Sequence, residues 1–210
     1  EICACLVGSE MCIRDRFIGE QIGFLEDKGQ EDRYIFGFEE SYGYLAGSYV
    51  RDKDAVVASM LICEMAAFYR TKGISLIQAR ENMYKKYGVY VHSQSSFVCE
   101  GVTGMERMKE IMSDLRTNTP KTIGGLTVTR FEDYLASTSV DTATGAKTML
   151  TLPKSDVLTF KLTDGASVII RPSGTEPKIK AYYTTTGTTK AEAAALEKTI
   201  SDDFAKILGF

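Results

Sequence analysis

VLTFKLTDGASVIIRPSGTEPKIKAYYTT, residues 157–185, decides the fold of the second half of the chain. Residues 157–162 and 166–171 are rich in β-branched and aromatic side chains. Asp164-Gly165 between them suits a two-residue hairpin turn, where both central positions need positive φ. Residues 178–185 continue as a further strand. Beyond them Thr189 with Glu192 spells a capping box, and Leu196, Ile200, Phe204 and Ile207 form one stripe of the helix it starts.

Working back toward the amino terminus, Thr122 to Leu135 reads as strands around a Gly124-Gly125 turn, and Asp141 to Lys147 as a polar turn. Thr103 with Glu106 spells another capping box, for a helix reaching about Arg116 before Pro120 breaks the pattern. Val89, Val91, Phe97 and Val98 suggest extended chain. The order strand, helix, strands, helix is an α+β layer. Ahead of it, Ile18, Ile22 and Leu25 share a helix face that Gly29 can end. Residues 34–38 read as a buried strand and residues 39–53 as a loop. Asp54 caps a long helix whose Met and aromatic residues, with Cys63, read as core. Ser75 with Gln78 caps a second helix ending at Gly88. Residues 17–88 therefore read as part of an α/β domain and residues 89–210 as a second, α+β domain.

The first sixteen residues, EICACLVGSEMCIRDR, do not fit this pattern. They read as the translation of a transposase-type sequencing adapter and are set aside. With Cys3, Cys5 and Cys12 removed, only Cys63 and Cys99 remain. No metal spacing or disulfide framework survives, which fits an intracellular, cytoplasmic protein. A net charge of −3 argues against a nucleic-acid partner, and no apolar run is long enough for a membrane span. A phosphorylated ligand would have to be held by local cations.

Such cations stand in Arg171-Pro-Ser-Gly-Thr-Glu-Pro-Lys178. Arg171 can place two parallel N–H donors on phosphate oxygens. Ser173 and Thr175 add hydroxyls, and Gly174 lets successive amides approach an anion. Pro172 and Pro177 restrict the loop beforehand, and Lys178 adds a second charge. The plainer alternative is a rigid surface turn whose Arg171 pairs with Glu176.

A second candidate is Gly37-Phe-Glu-Glu-Ser-Tyr-Gly43, where Glu39, Glu40 and Ser41 could bond sugar hydroxyls. A solvated acidic turn is the alternative. Arg51-Asp-Lys-Asp54 follows, a charged turn on residue types alone. His92, the single histidine, has no partner in the sequence.

These strings resemble the α-D-phosphohexomutases, the family of phosphoglucomutases and phosphomannomutases. The 171–178 string is similar to the phosphate loop of their final domain. Glu39, Glu40 and Ser41 match the Gly-Glu-x-Ser-Gly sugar loop of their third domain. Phe38 replaces a common Gly and Tyr42 intervenes before Gly43, a spelling similar to larger bacterial phosphoglucomutases and phosphopentomutases. The resemblance implies that residues 17–88 are the end of the α/β sugar-binding third domain. It implies that residues 89–210 are the α+β, TATA-binding-protein-like fourth domain.

It further implies interconversion of hexose 1-phosphate and hexose 6-phosphate through a phosphoserine and a bisphosphorylated sugar, glucose 1,6-bisphosphate for a phosphoglucomutase. Arg171, Ser173, Gly174, Thr175 and Lys178 would hold the phosphate not being transferred, and Lys53, with Arg51 second, would face the reacting one. Mg2+ would sit on an Asp-rich loop of the second domain. Neither that loop nor the donor serine loop is found in this sequence, so no metal ligand is assigned. The expectation is a truncated enzyme, inactive alone, whose partners are a sugar phosphate and the amino-terminal domains of the same chain. A phosphomannomutase or phosphopentomutase fragment, a free-standing phosphosugar-binding module, and a domain whose loops bind nothing are the alternatives.

Overall fold

The computed structural model describes residues 16–38, 43–101, 103–174 and 176–210. Residues 1–15 of the sixteen adapter-like residues, and Glu39, Glu40, Ser41 and Thr175, lie outside the described residues. The chain forms two compact units that divide between Lys86 and Tyr87.

In the first unit α1 (Arg16–Glu26) buries Ile22, and Gly29 with φ 62° follows its end. Strands β1 (Phe36–Phe38) and β2 (Tyr44–Ala46) form an antiparallel pair in which Phe38 is the register partner of Tyr44. Helix α2 (Ala55–Thr71) starts where the Asp54 carboxylate accepts the amides of Val56 and Val57 at 2.8 and 3.1 Å. Helix α3 (Leu76–Tyr87) opens with the capping box its sequence spells. The Ser75 amide donates to Gln78 Oε1 at 2.9 Å, and the Gln78 amide to Ser75 Oγ at 3.2 Å.

Three expectations fail in this unit. Residues 34–38 are not a buried strand, since Ile35, Phe36 and Phe38 are exposed. The stretch 39–53 is not all loop, because it contains β2. The Met and aromatic residues of α2 are not core: Met60, Met65 and Phe68 are exposed, and so is Cys63. The physical reason is the same for the first and third, while β2 forms because Tyr44–Ala46 pairs with Phe36–Phe38. A helix apolar around most of its circumference needs cover on several sides, and the short β1–β2 pair is too small to supply it.

The second unit is built on one antiparallel sheet. Its strands are β3 (Val89–Val98), β4 (Thr122–Ile123), β5 (Leu126–Asp133), β6 (Thr138–Asp141), β7 (Lys147–Met149), β8 (Leu158–Leu162), β9 (Ser167–Pro172) and β10 (Lys178–Gly187). Their spatial order is β3-β10-β9-β8-β5-β6-β7, with β4 beside β5. The Asp164-Gly165 turn joins β8 to β9 with φ values of 58° and 71°. This is the left-handed geometry that the residue pair demands.

Helices α4 (Gly104–Thr117) and α5 (Lys190–Ile207) cover one face of the sheet. Met108, Met112 and Leu115 from α4 meet Ile200 and Phe204 from α5 in a core with Phe160, Ile170, Ile179 and Tyr183. The Phe204 ring lies 5.8 Å from Phe160 and 6.3 Å from Tyr183. The Thr189–Glu192 capping box starts α5 as expected. The one spelled by Thr103 and Glu106 does not form. Thr103 has φ −88° and ψ 5° and makes no side-chain cap bond. An N-cap hydroxyl reaches the N2 or N3 amide from an extended backbone, which Thr103 lacks. Arg116 instead anchors the far end of α4, donating to Asp133 at 3.0 Å and Asp156 at 2.5 Å.

Candidate functional site

The 171–178 string is the connection between β9 and β10. The Ser173 amide donates to the Lys178 carbonyl at 2.8 Å, closing the hairpin, and the Lys178 amide donates to Glu176 O at 2.7 Å. That leaves Gly174, exposed and with open space where a Cβ would stand, as the place where a ligand could approach the backbone. The Cys99 amide donates to Pro177 O at 2.8 Å, fixing the outgoing limb.

Register decides which side chains gather here. Arg171 is the partner of Lys180 across β9–β10, and Lys180 is the partner of Ser96 across β10–β3. Strand side chains alternate faces. Ile170, Ile179 and Ala181 enter the core under the helices, so Arg171, Lys180, Tyr182 and Ser96 share the opposite face. Arg171 is half-buried. Its Nη2 and Nε donate to the Tyr182 hydroxyl at 3.0 and 3.3 Å, with the guanidinium carbon 5.7 Å from that ring's centre.

Glu176 does not take Arg171. It forms an ion pair with Lys178, and that bond, assisted by the charge of Lys178 and more weakly of Lys180, holds its carboxyl below the usual range. The alternative in which Arg171 pairs with Glu176 is thus not the arrangement present. Lys178, expected to face a phosphate, is occupied by the loop's own carboxylate. Tyr182 and Lys180 were not singled out from the sequence, although their signal is there. Residues 178, 180 and 182 alternate with apolar 179 and 181, so all three share a face once the five-residue connection sets the register.

His92 stands apart. Its Nδ1 is 3.1 Å from Thr184 Oγ1, its ring stacks on Tyr90, and burial lowers its pKa. Thr184 is four residues along β10 from Lys180, roughly 13 Å at about 3.3 Å per residue, too far to join the loop. A cleft of about 310 Å³ between α4 and the end of α5, lined by Arg107, Asp114 and Lys206 among others, includes no residue of 171–178.

In the first unit, the Asp54 amide donates to Tyr44 O at 2.8 Å. The Arg51–Asp54 turn therefore adjoins the strand that follows the acidic loop. Arg51 is committed locally, donating to Glu26 Oε2 at 2.7 Å and Ser48 O at 2.5 Å. Gly19 permits this packing, since a Cβ there would lie 2.6 Å from Arg51 O. Lys53 is exposed, with its amide donating to Asp52 Oδ1 at 2.7 Å. The Tyr49 hydroxyl donates to Asp54 Oδ2 at 2.6 Å, which lowers the pKa of Asp54 and raises that of Tyr49. Among the described residues no group of three or more His, Cys, Asp or Glu could hold a metal ion, so the Mg2+ that the resemblance implies has no described ligand cluster. No described helix is long and apolar enough to cross a membrane.

Comparison with known proteins places both units. Residues 15–87 match the phosphoglucomutase/phosphomannomutase alpha/beta/alpha domain III, and residues 109–202 match the phosphoglucomutase/phosphomannomutase C-terminal domain. The chain belongs to the phosphoglucomutase/phosphomannomutase family. Phosphoglucomutases of two Staphylococcus aureus strains, bovine RF122 / ET3-1 and MRSA252, are 39% and 38% identical to it over 167 residues. Those matches cover 80% of this chain, which spans only 30% of the relatives' length. Among solved structures, the open form of pp63/parafusin, a phosphoglucomutase from Paramecium, superposes with a TM-score of 0.63 at 18% identity. It covers 91% of this chain and 32% of its own, a likeness of fold.

Proposed function

We propose that this chain supplies sugar and phosphate recognition in a phosphoglucomutase-type enzyme that interconverts hexose 1-phosphate and hexose 6-phosphate. The observation that carries the reading is the seat of Arg171. Its guanidinium rests on a neutral phenol oxygen, with Lys180 beside it on the same sheet face. A carboxylate partner would offset the positive charge. A phenol leaves it for an anion, and two neighbouring cations repel each other until one arrives.

In this reading Arg171, Ser173, Gly174, Thr175 and Lys180 grip the phosphate that is not being transferred, and Lys178 joins when it leaves Glu176. Glu39, Glu40 and Ser41 bond the sugar hydroxyls. Lys53, on the turn adjoining β2, faces the reacting phosphate, and Arg51 holds that turn to α1 through Glu26. Phosphoryl transfer depends mainly on positioning and charge stabilisation, and this chain contributes positioning. A phosphoserine outside these 210 residues would give its phosphoryl group to the sugar's free hydroxyl. The bisphosphorylated sugar would then turn over and return the other phosphate to the serine. Mg2+, held elsewhere in the enzyme, would neutralise the transferring group. The chain by itself should therefore bind phosphosugar weakly and turn none over, in a cytoplasmic setting.

The test is a titration of the isotopically labelled chain with glucose 1-phosphate. Amide shifts concentrated at residues 171–180 support the reading. No shift there at millimolar ligand, or turnover by the 210 residues alone, overturns it.

A further inference from the structure

We propose that Tyr182 is a positioning residue for the phosphate site: its hydroxyl orients the Arg171 guanidinium and adds an O–H donor for the anion. The proposal rests on the reading of the 171–178 loop as a phosphate grip and extends it to a residue outside that loop.

The geometry is specific. Tyr182 lies on β10 opposite Ile169, one row along the sheet from the Arg171–Lys180 pair. Arg171 reaches diagonally to it, and both Nε and Nη2 converge on its single oxygen at 3.3 and 3.0 Å. A guanidinium carries five N–H groups. Two of them are spent on this oxygen, so three remain on the outer edge, where a fork can meet two phosphate oxygens. Tyr182 is 7% exposed, so its packing in the sheet restricts the ring. A long flexible arginine is thereby fixed at its tip before ligand arrives, which reduces the ordering cost of binding.

The phenol has a second use. Its oxygen accepts from Arg171, and its own hydrogen is given to no described residue. The hydrogen can therefore point at the same anion that the outer edge of Arg171 meets. Phenylalanine would keep the ring and lose both functions. The guanidinium would then be free to turn toward Glu176, the carboxylate of the adjoining loop, and the charge available to phosphate would fall.

Tyr183 provides an internal control. It is the next residue, faces the helices, and carries a phenol buried in the core that meets no described hydrogen-bond partner at bonding geometry. The experiment measures binding of glucose 1-phosphate, and of inorganic phosphate alone, to the wild-type chain and to Y182F, Y183F and R171A. It follows backbone amides and the Arg171 Nε–H signal by NMR. In the unliganded wild-type chain that Nε–H should already be a separate signal, displaced from those of the exposed arginines. Its Kd for either probe should rise roughly tenfold in Y182F, the loss expected for hydrogen bonds to a charged group, and stay within about twofold in Y183F.

An Nε–H that is averaged with the exposed arginines in the wild-type chain overturns the proposal without reference to any variant. So does a Y182F affinity within twofold of wild type while R171A abolishes binding, a result that leaves the phosphate grip standing. Equal losses in Y182F and Y183F would mark a general effect on the sheet and also overturn it. If the wild-type chain shows no response at Arg171 to either probe, the phosphate reading fails and this proposal with it.

Discussion

Replacing Arg171 by alanine removes the fork without disturbing the sheet, because the side chain is half-buried on the face away from the core. Two of its five donors serve Tyr182 and three remain, of which a phosphate can take two in parallel. Hydrogen bonds to a charged group contribute about 1.5–3 kcal/mol each. Partial exposure and competition from water reduce the pair to about 2–4 kcal/mol, or roughly 30- to 800-fold in affinity. Lysine keeps the charge and loses the planar fork, so Arg171→Lys should recover only about 1 kcal/mol of the loss. In the isolated chain the assay is NMR titration with glucose 1-phosphate, and in a fusion to the preceding domains of a relative it is steady-state kinetics. On the proposed reading the gripped phosphate is not the one transferred, so the loss should fall more on KM than on kcat. A KM for Arg171→Ala within about threefold of wild type would refute the reasoning.

Three further outcomes follow from other parts of the molecule. Glu176→Gln should tighten phosphate binding by about two- to fivefold at low salt, since it frees Lys178 from its ion pair; weaker binding would show that the carboxylate orders the loop. Gly124→Ala should destabilise the chain by about 2–5 kcal/mol in urea unfolding. Gly124 has φ 59°, and a Cβ there would stand 2.8 Å from Ile200 Cα; a loss under about 1 kcal/mol would contradict that packing. Burial pushes the Tyr183 phenol up to about 12 from 10.0, with Ser95 opposing and Glu197 adding slightly. The folded state then holds a proton that the unfolded state releases. Stability from this group is complete below pH 10 and is lost as pH rises toward about 12, an effect of order 2–3 kcal/mol. Tyr183→Phe should lack that alkaline component when unfolding is followed between pH 9 and 12, and equal slopes would count against it.

Local chemistry was legible in the sequence wherever a few adjacent residues fix the geometry. Asp54, Ser75 with Gln78, Thr189 with Glu192, and Asp164-Gly165 each satisfy their own backbone requirements within four residues, and each forms as read. Thr103 and Glu106 spell the same signal as Thr189 and Glu192 but fail, because Thr103 lacks the extended backbone that a capping hydroxyl needs. Burial was legible only where the covering partner is among the described residues. The stripe Ile200–Phe204 meets its sheet, whereas Met60, Cys63 and Phe68 meet no described cover. The short strands β6 and β7 left too little alternation to be noticed.

The 171–178 loop divides along the same line. Its string names Arg171 and Lys178, and residue type alone treats them as equivalent cations. Their partners make them different: Lys178 is matched with a carboxylate two residues away in sequence, while Arg171 is matched with a phenol eleven residues on. An ion pair within the loop lowers the local charge and can open when a stronger anion competes. A neutral acceptor from the neighbouring strand holds the guanidinium in place and leaves its charge unspent. On the proposed reading, the long-range partner, invisible in the motif, sets which of the two cations is ready for phosphate. It follows that Lys178→Gln should weaken binding much less than Arg171→Lys, although only the first removes a charge. The reverse order, measured with glucose 1-phosphate on the same chain, would mean that charge count and not seating governs the grip.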